Sequence, residues 1–244
     1  MVKTPPPTVL PENHRLYVIG DIHGRLDLLS RLMEEITVDA AQSPGPTKEL
    51  VFLGDYVDRG VDSKGVLDYL IQSLPKDKKA VFLRGNHDEA MLRFLGGDLE
   101  QATDWMLLGG GATLVSYGLN PFRADVMEDS LALHKAMLEK IPAAHRDFLA
   151  ATEMDCTRGD YYFVHAGIRP GVPLDRQTDE DRLWIRYDFM FSKADHGKVI
   201  VHGHSILPEP DVQPNRIGID TGAYATGRLT CLVLENASRR FLTT

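Results

Sequence analysis

Short polar side chains follow directly on short apolar runs at several points of this 244-residue chain. After Leu16–Ile19 come Gly20, Asp21 and His23, in the stretch RLYVIGDIHGR. FLGDYVDRG supplies Asp55, Asp58 and Arg59, and FLRGNHDE supplies Asn86 and His87. Further on, FVHAG gives His165, and VIVHGHS gives His202 and His204. Carboxylate, imidazole and amide oxygen form a set of N and O donors without thiolate, suited to Mn, Fe, Zn or Mg. Two ions a few Å apart need several ligands each and share one. Two aspartates, three histidines and an asparagine meet that need if one carboxylate bridges, and such a clamp suits hydrolytic attack on phosphorus. The flanking glycines let the backbone turn sharply close to a ligand.

Residues so far apart in sequence meet only if the elements before them line up. RLYVIG, LVFLG and KAVFLRG read as strands. RLDLLSRLMEEI and SKGVLDYLIQSL, between them, carry apolar residues at helical spacing, with Ser63 as the expected N-cap of the second. That βαβαβ order predicts parallel pairing with helices over the sheet, and polar strand ends along one rim. Residues 98–155 read as helical, broken by GGGATLVSYGLNP. Closely spaced strands return in YYFVHAG, KVIVHGH, NRIGID and RLTCLVLE. We expect a flexible lead-in over residues 1–14, rich in proline, and one catalytic domain over 15–244. That domain would be α/β, with two sheets, helices outside, and a helical insertion near 98–155.

The bulk properties narrow the function classes. The net charge of −8 argues against a duplex nucleic-acid surface, which needs clustered Lys and Arg. No apolar run nears the ~18 residues of a membrane span, and the first residues lack the apolar core of a secretory signal. Cys156 and Cys231 are too few for a disulfide framework and read as buried thiols. A cytoplasmic protein without a membrane partner is the expectation; oligomeric state is not readable.

GDIHGR, GDYVDRG and LRGNHD, followed by HAG and GHS, resemble the signature blocks of the calcineurin-like metallophosphoesterases. More narrowly they resemble the PPP-type phosphatases, which include serine/threonine protein phosphatases and symmetrical diadenosine tetraphosphate hydrolases. The resemblance implies two mixed sheets packed face to face between helices, a four-layer α/β/β/α sandwich. It implies that Asp21 and His23 hold one divalent ion, that Asp55 bridges, and that Asn86, His165 and His204 hold a second. Mn²⁺ is the first expectation, with Fe, Zn or Mg as alternatives. It further implies His87 as general acid paired with Asp58, and Arg59, Asn86 and Arg186 (in LWIRYDF) as phosphate contacts. Two departures stand out. Asp88 occupies the place of the usual glutamate, and GIDTGAYATGRL replaces the C-terminal block of the eukaryotic protein phosphatases.

Plainer roles compete for single residues. Asp21 could cap a helix, Asp58 and Arg59 could be a solvated turn pair, Asn86 a turn residue, and Arg186 a structural ion-pair member. We assign His202 to packing behind the site. His14, His134, His145 and His196 read as surface or core residues, and Asp179–Arg182 as a solvated loop face. The expected function is hydrolysis of a phosphorylated protein or small phosphoester. The alternatives are a symmetrical dinucleoside polyphosphate hydrolase and, from another class, a metal-free binding module on the same fold.

Overall fold

The computed structural model describes residues 9–42, 45–74, 79–121 and 129–244. In the first sheet, β1 (His14–Ile19), β2 (Thr47–Phe52) and β3 (Lys79–Phe82) pair in parallel, as the βαβαβ order predicts. The second sheet is β4 (Asp155–Arg158), β5 (Tyr161–Val164), β6 (Val199–His202), β7 (Asp211–Val212) and β8 (Arg216–Gly218), in the order β4-β5-β6-β8-β7. Then β9 (Thr230–Glu235) and β10 (Ser238–Thr243) return to the first sheet, completing β10-β9-β1-β2-β3. Both sheets are mixed, because β9, β10, β4 and β7 pair antiparallel.

Alternation along the strands sets the layers. Leu16 and Val18 of β1 enter an inter-sheet core with Val51, Phe163, Val201 and Ile217. Tyr17 and Ile19, one residue out of phase, join the helix-covered core. A register slip of one residue would exchange these faces, so burial on both sides fixes the pairing. The helices over the first sheet include α1 (Leu26–Ala41), α2 (Ser63–Gln72) and α3 (Asn86–Leu95). Leu28, Leu29, Leu32, Met33 and Ile36 form the buried stripe of α1. The outer face of the second sheet packs Tyr162, Val164 and Ile200 against Ile185 and Phe189. The result is the expected sandwich of helices, sheet, sheet and helices.

Some local expectations are corrected. The N-cap of α2 is Asp62, whose carboxylate accepts the Gly65 N–H at 2.8 Å, and not Ser63. The Ser63 hydroxyl is engaged by Asp58 N–H and Thr113 Oγ1 instead. The glycine run interrupts the helical stretch as expected, but at a single residue, as a kink at Gly109. α4 (Gln101–Trp105) continues through a π-turn (Met106–Gly110) into α5 (Gly111–Ser116), with only Gly109 in a left-handed conformation, φ 116°. α6 (Ser130–Lys140) and α7 (Ala143–Ala150) follow. Asp179–Arg182 is not a loop but the start of α8 (Asp179–Trp184), where Asp181 is buried and paired with Arg169 at 2.6 Å. The short α9 (Tyr187–Met190) and α10 (Ala223–Thr226) complete the helices used below. Of the lead-in, residues 1–8 lie outside the described residues. Leu10 is buried between the sheets and His14 opens β1, so the last part of residues 1–14 is built into the fold.

Candidate active site

Five strand ends converge, three from the first sheet and two from the second. Asp21 and His23 follow β1, Asp55, Asp58 and Arg59 follow β2, and Asn86 and His87 form the first turn of α3 after β3. His165 follows β5 and His204 follows β6. The turns are tight: His23, Asp55, Asp58, Arg59 and His204 all have positive φ, between 46° and 70°. Asp88, in the first turn of α3, explains how its substitution for glutamate is accommodated. Its carboxylate accepts the N–H groups of Asp55, Tyr56 and Gly85 at 2.8–3.0 Å and so fixes the β2 turn against α3.

Asp55 is the hub. Its Oδ2 lies 3.3 Å from His23 Nε2, 3.6 Å from His165 Nε2 and 3.9 Å from His87 Nε2. Asn86 Oδ1 lies 3.0 Å from His165 Nε2 and 2.9 Å from His204 Nδ1. Two clusters therefore share Asp55: one with His23 and His87, the other with His165 and His204. Asp21 stands outside both by distance, yet its Oδ1 is buried without a hydrogen-bond partner, while its Oδ2 accepts the His204 N–H.

The donor chemistry tests whether cations fit here. His23 donates Nδ1–H to Val57 O at 2.9 Å, and His165 donates Nδ1–H to Leu53 O at 2.8 Å. Burial lowers both imidazoles below their ordinary pKa, His23 to about 3, against the pull of Asp55, so both are neutral. Their Nε2 atoms are then bare lone pairs, aimed at the Asp55 carboxylate and, for His165, also at the Asn86 oxygen. His204 Nε2 has no partner either. Burial raises Asp21 well above the carboxylate range, and Asp220 and Asp55 push it the same way. Acceptors converging on acceptors, with no proton between them, are what a cation reconciles, so the residues fit divalent ions.

The His87–Asp58 pair has a different character. His87 Nδ1 lies 2.8 Å from Asp58 Oδ2, and both side chains are buried. Burial alone would lower His87, but Asp55 and the hydrogen bond to Asp58 outweigh it, and its pKa lies above the ordinary value. Burial raises Asp58, although His87 and Thr113 oppose it. Trp105 Nε1 and Thr113 Oγ1 donate to Asp58, at 3.1 Å and 2.7 Å to its nearer oxygens. An imidazole aimed by a carboxylate that is itself held from two sides can, when protonated, donate at Nε2.

Arg59 and Arg186 flank the clusters. Arg59 Nε donates to Leu108 O at 3.4 Å, and Arg186 Nη1 to His204 O at 3.3 Å. Neither has a carboxylate partner among the described residues, whereas Arg15, Arg25, Arg84 and Arg158 all do. Arg186 is not the structural ion-pair member that the sequence left open. His202, the last residue of β6, packs edge-on to Phe189 at 5.0 Å and belongs to neither cluster. Its Nε2 is buried without a partner.

Sequence reasoning passed over Asp220, Tyr224, Trp105 and Thr113. Asp220 lies two residues beyond β8, where the rule applied to the other strand ends would have found it. Burial raises its carboxyl to about 6, with Asp55 acting in the same direction. Trp105 and Thr113 carry no such signal, because they reach Asp58 from helices.

The calcineurin-like phosphoesterase profile matches residues 14–232. The chain belongs to that family. Among curated proteins, it is 28% identical over 235 residues to a bis(5'-nucleosyl)-tetraphosphatase (asymmetrical) of Bacillus thuringiensis, with 88% of each chain covered. Among solved structures, a putative diadenosine tetraphosphatase superposes with a TM-score of 0.65 at 21% identity, over 95% of this chain and 94% of that one. A cold-active protein-tyrosine phosphatase of a Shewanella species superposes with a TM-score of 0.60 at 18% identity, over 97% and 82%. As a calcineurin-like phosphoesterase the chain is a hydrolase of phosphoester bonds, and the two clusters supply candidate ligands for the divalent metals this family uses. No helix among the described residues is long and apolar enough to cross a membrane.

Proposed function

We propose that this calcineurin-like phosphoesterase is a single-domain, cytoplasmic, two-metal phosphomonoesterase of the PPP type, acting on serine/threonine-type esters. The observation that carries this reading is the buried His87–Asp58 pair beside two acceptor clusters joined at Asp55. Asp21 and His23 would hold one ion, Asn86, His165 and His204 the other, and Asp55 would bridge. The donor set, without thiolate, favours Mn²⁺. Divalent ions bound there supply Lewis acidity toward phosphoryl oxygens and bring the pKa of water toward neutrality.

The chain's own groups do the rest. Arg59 and Arg186 bind phosphoryl oxygens with guanidinium groups that form no ion pair among the described residues, and Asn86 orients the group. His87 gives its Nε2 proton to the departing ester oxygen, while Asp58 holds Nδ1–H and supports the imidazolium. No phosphoenzyme is needed. Burial holds both thiols far above neutrality, Cys156 at about 12, so neither is a nucleophile.

A general acid matters most when the leaving group is strongly basic. His87→Asn should therefore slow phosphoserine hydrolysis by on the order of 10²-fold and p-nitrophenyl phosphate far less. Asp58→Asn should follow the same pattern more mildly, and both variants should keep their metal. Equal slowing of the two esters at full metal content would make His87 a charge-stabilising or ligating residue instead, as its place beside His23 and Asp55 would also permit.

The similarity to nucleosyl tetraphosphatases, over 88% of both chains, supports a second reading: dinucleoside polyphosphate hydrolysis. The relative's name specifies asymmetrical cleavage, in contrast to the symmetrical alternative of the sequence analysis. Competing diadenosine tetraphosphate against a phosphoserine peptide, with product analysis, separates the readings. An AMP plus ATP product pair would mark asymmetrical cleavage.

A further inference from the structure

GIDTGAYATGRL, the segment that departs from the eukaryotic block, has so far no task. It places α10 and Tyr224 at the edge of the site. Gly222, at φ 70°, turns the chain, and Asp220 Oδ1 accepts its N–H at 2.9 Å. Thr226 Oγ1 donates back to Thr221 O at 2.9 Å, and Arg25 Nη1 donates to Ala223 O at 2.8 Å. A helix of four residues has little stability alone, so these contacts from both sides hold it.

Tyr224 touches two residues of the site. The Arg59 guanidinium carbon lies over its ring, 4.9 Å from the centroid. It also meets the His23 ring at 5.5 Å between centroids, nearly perpendicular. Arg59 and Tyr224 also share the wall of a cleft of about 700 Å³ with Arg25, Leu26 and Val61.

Gly109 O accepts the Arg59 backbone N–H at 3.3 Å, but the side chain beyond it has few polar partners. The Arg59 backbone is left-handed at φ 65°, its Nε–H bond to Leu108 O is long at 3.4 Å, and no carboxylate pairs with it among the described residues. A phosphate-binding arginine faces a conflict. A carboxylate partner would position it but also compete with the anion for its charge. An aromatic face positions a guanidinium through its quadrupole and leaves the charge and the in-plane N–H groups free.

We infer that Tyr224 is a positioning residue for Arg59, holding the guanidinium toward the phosphoryl site without neutralising it. This rests on the proposed role of Arg59 as a phosphate contact. Tyr224 acts through its ring face, so the hydroxyl is dispensable.

A double-mutant cycle tests it, using p-nitrophenyl phosphate turnover and inhibition by inorganic phosphate on the metal-loaded protein. Tyr224→Ala should raise KM and the phosphate inhibition constant about 5- to 10-fold, equivalent to the ~1 kcal/mol of an exposed to half-buried cation–π contact. Tyr224→Phe should restore both to within about twofold. In an Arg59→Ala background, Tyr224→Ala should add almost nothing, because the group it positions is gone. Equal effects with and without Arg59 would overturn the inference, as would a Tyr224→Phe variant as weak as Tyr224→Ala. If Arg59→Ala alone leaves KM and phosphate inhibition unchanged, the phosphate role of Arg59 fails, and that outcome is distinct from a failure of Tyr224. Metal analysis and thermal unfolding of each variant separate these outcomes from a general loss of structure.

Discussion

One close approach in the site joins residues 182 positions apart. An ideal Cβ on Gly203 would lie 2.0 Å from Asp21 Oδ1 and 3.1 Å from its Cγ, and only that carboxylate stands in its way. Gly203 is not at positive φ, so alanine there meets no backbone obstacle. The methyl group would take the space of an oxygen that has no protein partner. If Asp21 holds an ion, Gly203→Ala should drop the metal content from about two to about one per chain. The metal-free variant should unfold close to the metal-free wild type, since the displaced carboxylate makes few protein contacts. Elemental analysis with a matched melting curve checks both halves. An unchanged metal content would remove Asp21 from the ligand set.

Elements are joined by side chains that answer to pH. Asp39 on α1 accepts from Tyr17 OH of β1 at 2.7 Å and from Arg240 Nη2 of β10 at 2.6 Å, with Arg15 at 3.3 Å. Burial works to raise its pKa, but the hydrogen bonds from Arg240 and Tyr17 and the two arginine charges leave it below the ordinary value. A depressed carboxylate stabilises above the unfolded pKa of about 3.9, and that contribution disappears as pH falls through the folded value. Asp39→Asn should cost about 1–3 kcal/mol at pH 7 in urea unfolding. The gap to wild type should close as pH falls through the folded value of Asp39. A gap independent of pH would mean that shape, not charge, joins these elements. At this scale the sequence was most readable where an apolar run ends in glycine and a short polar side chain, because both the strand and its rim are local properties. It was least readable where neighbours compete. Asp62 and Ser63 are both good N-caps, and Asp62 takes the role because Asp58 N–H and Thr113 claim the Ser63 hydroxyl. The break expected at Gly109–Gly111 is present as a kink. Only Gly109 leaves helical geometry, where its carbonyl accepts the Arg59 N–H at 3.3 Å. Tyr224 stayed hidden because cation–π partners far apart in sequence leave no periodic trace.

Across the whole molecule, candidate ligands come from both sheets: Asp21, His23, Asp55 and Asn86 from one side, His165 and His204 from the other. Bound ions would therefore tie the two sheets together and relieve the crowding of Asp21, Asp55 and Asp220. Metal at 100 times its dissociation constant should add about 2.7 kcal/mol per site that binds only the folded chain. For a domain of this size, that is a rise in Tm of roughly 5–10 °C, reversed by chelator together with activity. A chelated protein with unchanged Tm and full turnover would defeat the metal reading at both levels. The tight turns carry a consequence of another kind. Of seven non-glycine residues at positive φ among the described residues, five belong to the site, and the other two are asparagines, Asn13 and Asn236. Each such residue costs about 1–3 kcal/mol, and five together rival the 5–15 kcal/mol by which a typical domain is stable. Turnover is the only trait here that would keep a lineage at that disadvantage. Descendants released from it should drift toward glycine or asparagine at positions 23, 55, 58, 59 and 204, becoming more robust as they fall silent. A relative with this fold and those replacements would be a retired enzyme, recognisable by its ease.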